Sequence, residues 1–303
     1  MATKTSSVLL GDVTTDARFQ ALVQFIDAAL LAGGWVLSSD SGQANPATIA
    51  HPTVANTKQG YRIYKMGHTL QATSPVFMRI DFGSNSTVST FAWWITIGSG
   101  SDGAGNITNV TFNGGARLQG FGMNSPSTTP GNSYASVGPA RCAFAILVNN
   151  SAGAACYFLS VERSKDANGN DTGDGVMVFW SDYANGGNYF GPSFCRYVIL
   201  AGGAQPAQET GLNYICSTTN PSDTFAPGDV GVGIPFCFKG VAQQPGMNLC
   251  IVSSLDVGAE GNFQIRMYGQ TITFQHLNSV SIYKGLSGSA NQDQYSRVCM
   301  RFD

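Results

Sequence analysis

The chain has 303 residues, 16 Lys and Arg against 18 Asp and Glu, a formal net charge of -2, and 11 % charged residues. An ordinary soluble domain has about 25 % charged residues. Hydrophobic residues make up 43 % and glycine contributes 37 positions. No basic excess is available to neutralise phosphates, which argues against a nucleic-acid binder. The apolar content and small net charge exclude an intrinsically disordered chain. So few charges leave two ways to stay in solution: neutral polar groups, or a surface covered by partners.

Taken from its start, Met1–Asp12 contains no apolar core segment, so no secretory signal is expected. Thr15-Asp16 then caps a helix carrying Phe19, Leu22, Val23, Ile26, Ala29 and Leu30 at the spacing of one buried face. Gly33-Gly34 ends it. The stretch Phe19–Leu31 is short and interrupted by Gln24 and Asp27, so no membrane insertion is expected. The helix is expected to dock on its own sheet. The alternative is that it serves as a handle for a neighbouring subunit.

After Trp35 the period becomes that of strands. Candidates are Tyr61–Met66, Val76–Asp81, Phe91–Ile97, Ile107–Phe112, Ala143–Val148, Cys156–Glu162, Val176–Trp180, Arg196–Leu200, Leu212–Cys216, Pro235–Lys239, Asn248–Ser253, Phe263–Tyr268, Thr271–His276, Val280–Lys284 and Arg297–Phe302. Clusters of Gly, Asn, Ser and Asp separate them, and Tyr268-Gly-Gln-Thr271 is short enough for a tight hairpin. Parallel units would need intervening helices, and the pattern offers none after Gly34. The expected fold is mainly β: an antiparallel β-sandwich, jelly-roll-like, with one N-terminal amphipathic helix. The chain divides into an N-terminal segment and helix, 1–34, and a β-sandwich domain, 35–303. A possible sub-boundary lies near 123–133, where Met123–Ser133 has a linker's composition.

The chemistry-bearing residues form no motif that points to a reaction, so no catalytic, cofactor-binding or metal-binding residue is assigned. The histidines are His51, His68 and His276, with neither a nucleophile elbow nor a zinc spacing. Glycosidic chemistry needs paired carboxylates; the three glutamates are Glu162, Glu209 and Glu260, and an Asp pair stays open. Asp166-Ala-Asn168-Gly-Asn170-Asp171-Thr-Gly-Asp174 presents oxygens at alternate positions, as a calcium loop does. It lacks the Gly and the Glu of a helix–loop–helix calcium site, and a turn between two strands explains the same residues. Gly98–Asn106 has one carboxylate, Asp102, too few for a cation cage. Cys142, Cys156, Cys195, Cys216, Cys237, Cys250 and Cys299 show no paired spacing and read as buried free thiols of a reducing compartment. Trp93 and Trp94 are adjacent, so they point to opposite faces of a strand and at least one enters a core or an interface. With Trp180 they are also the candidates for a sugar-stacking face.

Gly34-Trp35, Tyr61–Met66, Phe77–Gly83, Trp94-Ile-Thr-Ile-Gly-Ser-Gly-Ser-Asp-Gly-Ala-Gly-Asn106, Phe158-Leu-Ser-Val-Glu-Arg-Ser-Lys-Asp166 and Gly169–Gly175 form a set of unusual stretches. Together they resemble a family of virion structural proteins of tailed bacteriophages. The resemblance spans about residues 15 to 180 and brings no active-site residue with it. It implies a tail, baseplate or fibre-attachment component of the virion, assembled in the host cytoplasm, homo-oligomeric, with other phage structural proteins as partners and no cofactor. The alternative is a receptor- or glycan-binding tail module, and behind it a polysaccharide-degrading enzyme.

Overall fold

The computed structural model describes residues 3–9, 13–84, 88–117, 131–150, 153–180, 195–199, 231–233, 236–239, 242–245, 247–253, 262–281 and 296–303. The candidate strand Leu212–Cys216 lies outside them, as does most of the 123–133 linker, whose last three residues open a strand instead. Among the described residues no helix is long and apolar enough to cross a membrane.

The helix α1 spans Asp16–Ala32, with Thr15 in extended conformation as N-cap accepting from the Arg18 backbone N–H. Its buried side chains are Phe19, Leu22, Val23, Phe25, Ile26, Ala29 and Leu30, the face expected from the spacing with Phe25 added. Gly33 caps its C-terminus, and Gly34 takes φ +94, a conformation in which glycine is unstrained.

The rest is mainly antiparallel β-structure, sandwich-like. The strands are β1 (Thr3–Leu9), β2 (Val36–Leu37), β3 (Lys58–Lys65), β4 (Phe77–Ser84), β5 (Phe91–Ser101), β6 (Ile107–Arg117), β7 (Gly131–Gly138), β8 (Arg141–Asn150) and β9 (Gly153–Lys165). They continue with β10 (Asp171–Trp180), β11 (Cys195–Ile199), β12 (Gly231–Gly233), β13 (Phe236–Lys239), β14 (Ala242–Pro245), β15 (Leu249–Ser253), β16 (Asn262–Met267), β17 (Gln270–Ser281) and β18 (Ser296–Arg301). A front sheet runs β2-β3-β4-β5-β6, a plain meander, and a central sheet runs β1-β7-β8-β9-β10-β11. A C-terminal sheet has the order β12-β15-β18-β17-β16, so its last four strands form a Greek key. β13 and β14 pair with each other. Tyr268 and Gly269 both have positive φ and close the β16–β17 hairpin in two residues, as the primed turns do.

Side-chain alternation along the central sheet explains the layering. One face carries Val137, Cys142, Phe144, Ile146, Leu159, Val161, Val176 and Val178 into a single core shared with the front sheet and α1. Trp93 of the front sheet meets Phe144 of the central sheet edge-on, with ring centroids 6.3 Å apart. The helix docks on its own sheets, against β1, β7 and β2, and residues of the 1–34 segment sit in that same core. The opposite face of the central sheet carries Ser136, Arg141, Ser160 and Glu162, and the C-terminal sheet packs there. The molecule is therefore three layers of sheet, with the polar face of the middle one turned toward the last.

Candidate functional site

Among the described residues, charged side chains converge where strand ends of all three layers meet. A cleft of about 390 Å³ is lined by His68, Arg141, Lys165, Asp171, Gln270 and Arg301 together with residues of the β7–β8 and β9–β10 turns. Cationic groups dominate the lining.

Each wall is held by a specific local device. The β7–β8 turn is pinned from behind by Trp35, whose indole Nε1–H donates to the carbonyls of Gly138 (3.1 Å) and Arg141 (3.2 Å). The β9–β10 turn is closed by Asp166, which accepts from the backbone N–H of Asn168 and Asn170 at 2.8 Å each and from Asn170 Nδ2 at 3.0 Å. Antiparallel register places Asp171 opposite Lys165, and Lys165 Nζ donates to Asp171 Oδ1. His68 precedes a short 3-10 turn, Thr69–Ala72; its Nδ1 accepts from the Leu70 N–H, which leaves Nε2 at 3.6 Å from Asp171 Oδ2.

The other wall is a guanidinium pair. Arg141 Nη2 and Arg301 Nε both donate to Asp303 Oδ1, at 2.9 and 2.7 Å. Arg141 Nη2 and Nη1 also reach the Asp303 carbonyl and Ser136 Oγ. Burial, and then the charge of Arg301, bring Arg141 down to about 10. Behind the cleft floor Glu162 is fully buried, and its carboxylate accepts the backbone N–H groups of Met247 and Asn248 at 3.0 and 3.1 Å. Burial pushes its pKa up, against the opposing charge of Lys165 and those two N–H donors.

The residues singled out in the sequence mostly lie elsewhere. His68 lines the cleft; His51 pairs with Asp16 at the start of α1 (2.6 Å), and the His276 side chain lies outside the described residues. Glu162 sits beneath the cleft, whereas Glu209 and Glu260 lie outside the described residues. The Asp166 loop is a strand-connecting turn: the Asp166 carboxylate is engaged by the turn itself and Asp171 by Lys165. Cys142 is a free, buried thiol, and burial pushes it up to about 12; Cys299 is buried as well. Cys250 lies opposite Cys299 in register; Cys216 and the side chains of Cys156, Cys195, Cys237 and Cys250 lie outside the described residues. Trp93 is fully buried and Trp94 half-buried on the opposite face, with Lys58 Nζ 5.4 Å from its ring centroid; the Trp180 side chain lies outside the described residues. Among the described residues no three His, Cys, Asp or Glu cluster as a metal site would require.

Arg141, Lys165 and Arg301 escaped sequence reasoning because no spacing connects them. Register and layer packing alone bring them together.

Comparison with protein-family models, with curated proteins and with solved structures finds no match to this chain.

Proposed function

We propose that this chain is a structural component of a tailed-bacteriophage particle: a tail, baseplate or fibre-attachment protein acting through repeated protein–protein contacts. The observation that supports it most is what the unusual stretches behind the resemblance do. They make joints. Asp102 and Asn106 of the Gly-Ser-Asp-Gly-Ala-Gly-Asn stretch lock the β5–β6 turn, with Asn106 Nδ2 donating to Asp102 Oδ2 at 2.7 Å. Asp40, from the loop after β2, accepts from Gly105 N–H (3.1 Å) and Ser101 Oγ (2.7 Å) of the same stretch. In Glu-Arg-Ser-Lys-Asp, Glu162 ties the central layer to the last, and Arg163 Nη2 ties it to the Ser74 carbonyl at 2.7 Å.

Carboxylates used this way fix geometry rather than reach for a substrate. A rigid subunit repeated in a closed ring multiplies weak contact patches into a stable assembly. Its low charge density limits the desolvation that broad contacts cost. The proposal places the chain in the virion, homo-oligomeric and contacting other phage structural proteins.

Light scattering on the purified chain, with peptide mass spectrometry of purified particles, tests this. A defined oligomer and presence in the particle are expected. A monomer at every concentration, absent from particles, overturns it. A second reading, a glycan-binding tail module, draws support from half-buried Trp94 on the outward face of the front sheet beside Lys58 and Asp81. A glycan array on wild type and on Trp94→Ala separates the two.

A further inference from the structure

We infer that the cleft between the layers binds an oxyanion of the phosphate or sulfate class. This rests on the cleft alone and is independent of the proposed place in a virion.

The argument starts from unused donors. A guanidinium offers five N–H groups and an ammonium three. Among the described residues Arg301 engages only Nε, with Asp303, so both terminal nitrogens are left for the cleft. Arg141 engages its two terminal nitrogens and not Nε. Lys165 engages one carboxylate oxygen, on Asp171. His68 has Nε2 turned toward the same carboxylate at 3.6 Å, beyond hydrogen-bond distance. Side-chain exposure is 7 % for Arg141, 6 % for Lys165 and 15 % for Arg301, so these charges are held in a sheltered site, where an ion is weakly screened.

The acids do not fill the space between them. Asp303 bridges the two arginines from one side and Asp171 pairs with Lys165 at the other, while Glu162 faces backbone N–H groups beneath. Arg163, fully buried and outside the cleft lining, still acts on Asp171 through its charge, its Nε and Nη1 lacking any partner among the described residues. Planar forks beside an ammonium match the oxygens of a phosphate, which accepts several charge-assisted bonds at once. The volume, about 390 Å³, lies within the range of small-molecule sites, roughly 300–1,000 Å³.

Phosphate titration followed by ³¹P line broadening and thermal unfolding, against sodium chloride at matched ionic strength, is the direct experiment. Phosphate is expected to raise the melting temperature and broaden its own signal, while chloride does neither. Arg301→Gln is expected to weaken phosphate binding about tenfold or more, with Arg301→Lys recovering part of it. Gln270 is exposed at the rim and makes no hydrogen bond with its side chain among the described residues, so Gln270→Glu adds a repelling charge without unsettling the fold. It is expected to weaken phosphate several-fold, with the loss shrinking as salt rises. Equal effects of phosphate and chloride on the wild-type chain overturn the inference. So does wild-type phosphate affinity in folded Gln270→Glu and Arg301→Gln together.

Discussion

Asp27 shows how this chain uses a single acid. It stands on the polar side of α1, between the buried Ile26 and Ala29, and its Oδ1 accepts from Arg62 Nε at 3.0 Å and from the Tyr64 hydroxyl at 2.6 Å. Both partners belong to β3, so one carboxylate oxygen fastens the helix to the front sheet. Burial, and then the Asp27 charge, hold the Tyr64 phenol well above its ordinary range, which keeps the hydroxyl a donor. Asp27→Ala leaves a mostly buried guanidinium and a buried hydroxyl without their acceptor. It is expected to cost about 2 kcal/mol, the range for hydrogen bonds to a charged group. Asp27→Asn keeps one acceptor oxygen and loses less. Urea unfolding of both variants checks this; equal loss in the two would mean that the helix is held by its apolar face alone.

At the scale of elements, the same five-residue turn is built twice, at β5–β6 and at β9–β10. Asp102 and Asp166 each accept from the backbone N–H groups two and four residues on, and the Asn at the fifth position donates back to the second carboxylate oxygen. In each, a glycine at the fourth position lies against a tyrosine: Gly105 against Tyr61 and Gly169 against Tyr268. A Cβ on Gly105, at φ +102, would stand 2.1 Å from the Tyr61 hydroxyl, which itself donates to the Ser41 carbonyl at 2.6 Å. Gly103 in the same turn has φ +79 and nothing within 4 Å. Gly103→Ala is expected to cost about 1 kcal/mol, the left-handed backbone alone. Gly105→Ala is expected to cost about 3 kcal/mol, because the tyrosine must also move. Matched thermal unfolding would refute this if the two costs were equal. Such turns are legible in Asp, Gly and Asn spacing, as α1 is in its apolar period. β1 is not: Thr-Lys-Thr-Ser-Ser at a sheet edge shows no apolar alternation. β7 is not either, since Ser133 and Ser136 are buried in a stretch that reads as loop. The cleft is less legible still. Arg141 lies opposite Glu162 and Lys165 opposite Asp171 by register, and Arg301 joins them through layer packing.

The whole molecule depends on how its polar middle face is closed. Glu162 accepts Met247 and Asn248 N–H, and Asn248 Nδ2 donates back to Ser160 Oγ at 2.9 Å and to the Cys142 carbonyl at 3.2 Å. Asn248 also accepts from Arg301 N–H at 2.8 Å, so one asparagine clasps two layers and the last strand. Glu162→Ala would orphan two buried N–H groups and strip the cations above of a counter-charge, an expected loss of about 3 kcal/mol. Glu162→Gln, which mimics the protonated acid, isolates the charge. The folded state raises this carboxyl above 4.5, so its contribution is fully present below pH 4.5 and is lost as pH rises through the folded value. The opposite holds for Asp40: burial raises it, but hydrogen bonds from Ser38, Ser101 and Gly105 outweigh that and lower it below 3.8. Its contribution is present above pH 3.8 and lost as pH falls through the lower folded value, a trend shared by exposed Asp16, Asp102 and Asp166. Because the aspartates are common to wild type and variant, they cancel in the difference. The penalty of Glu162→Gln, measured by urea unfolding at pH 4.5 and pH 8, is therefore expected to be smaller at pH 8. A penalty that grows with pH would mean that Lys165 and Arg301 favour the carboxylate more than burial disfavours it, and that the middle layer is closed by an ion network rather than by the N–H clasp.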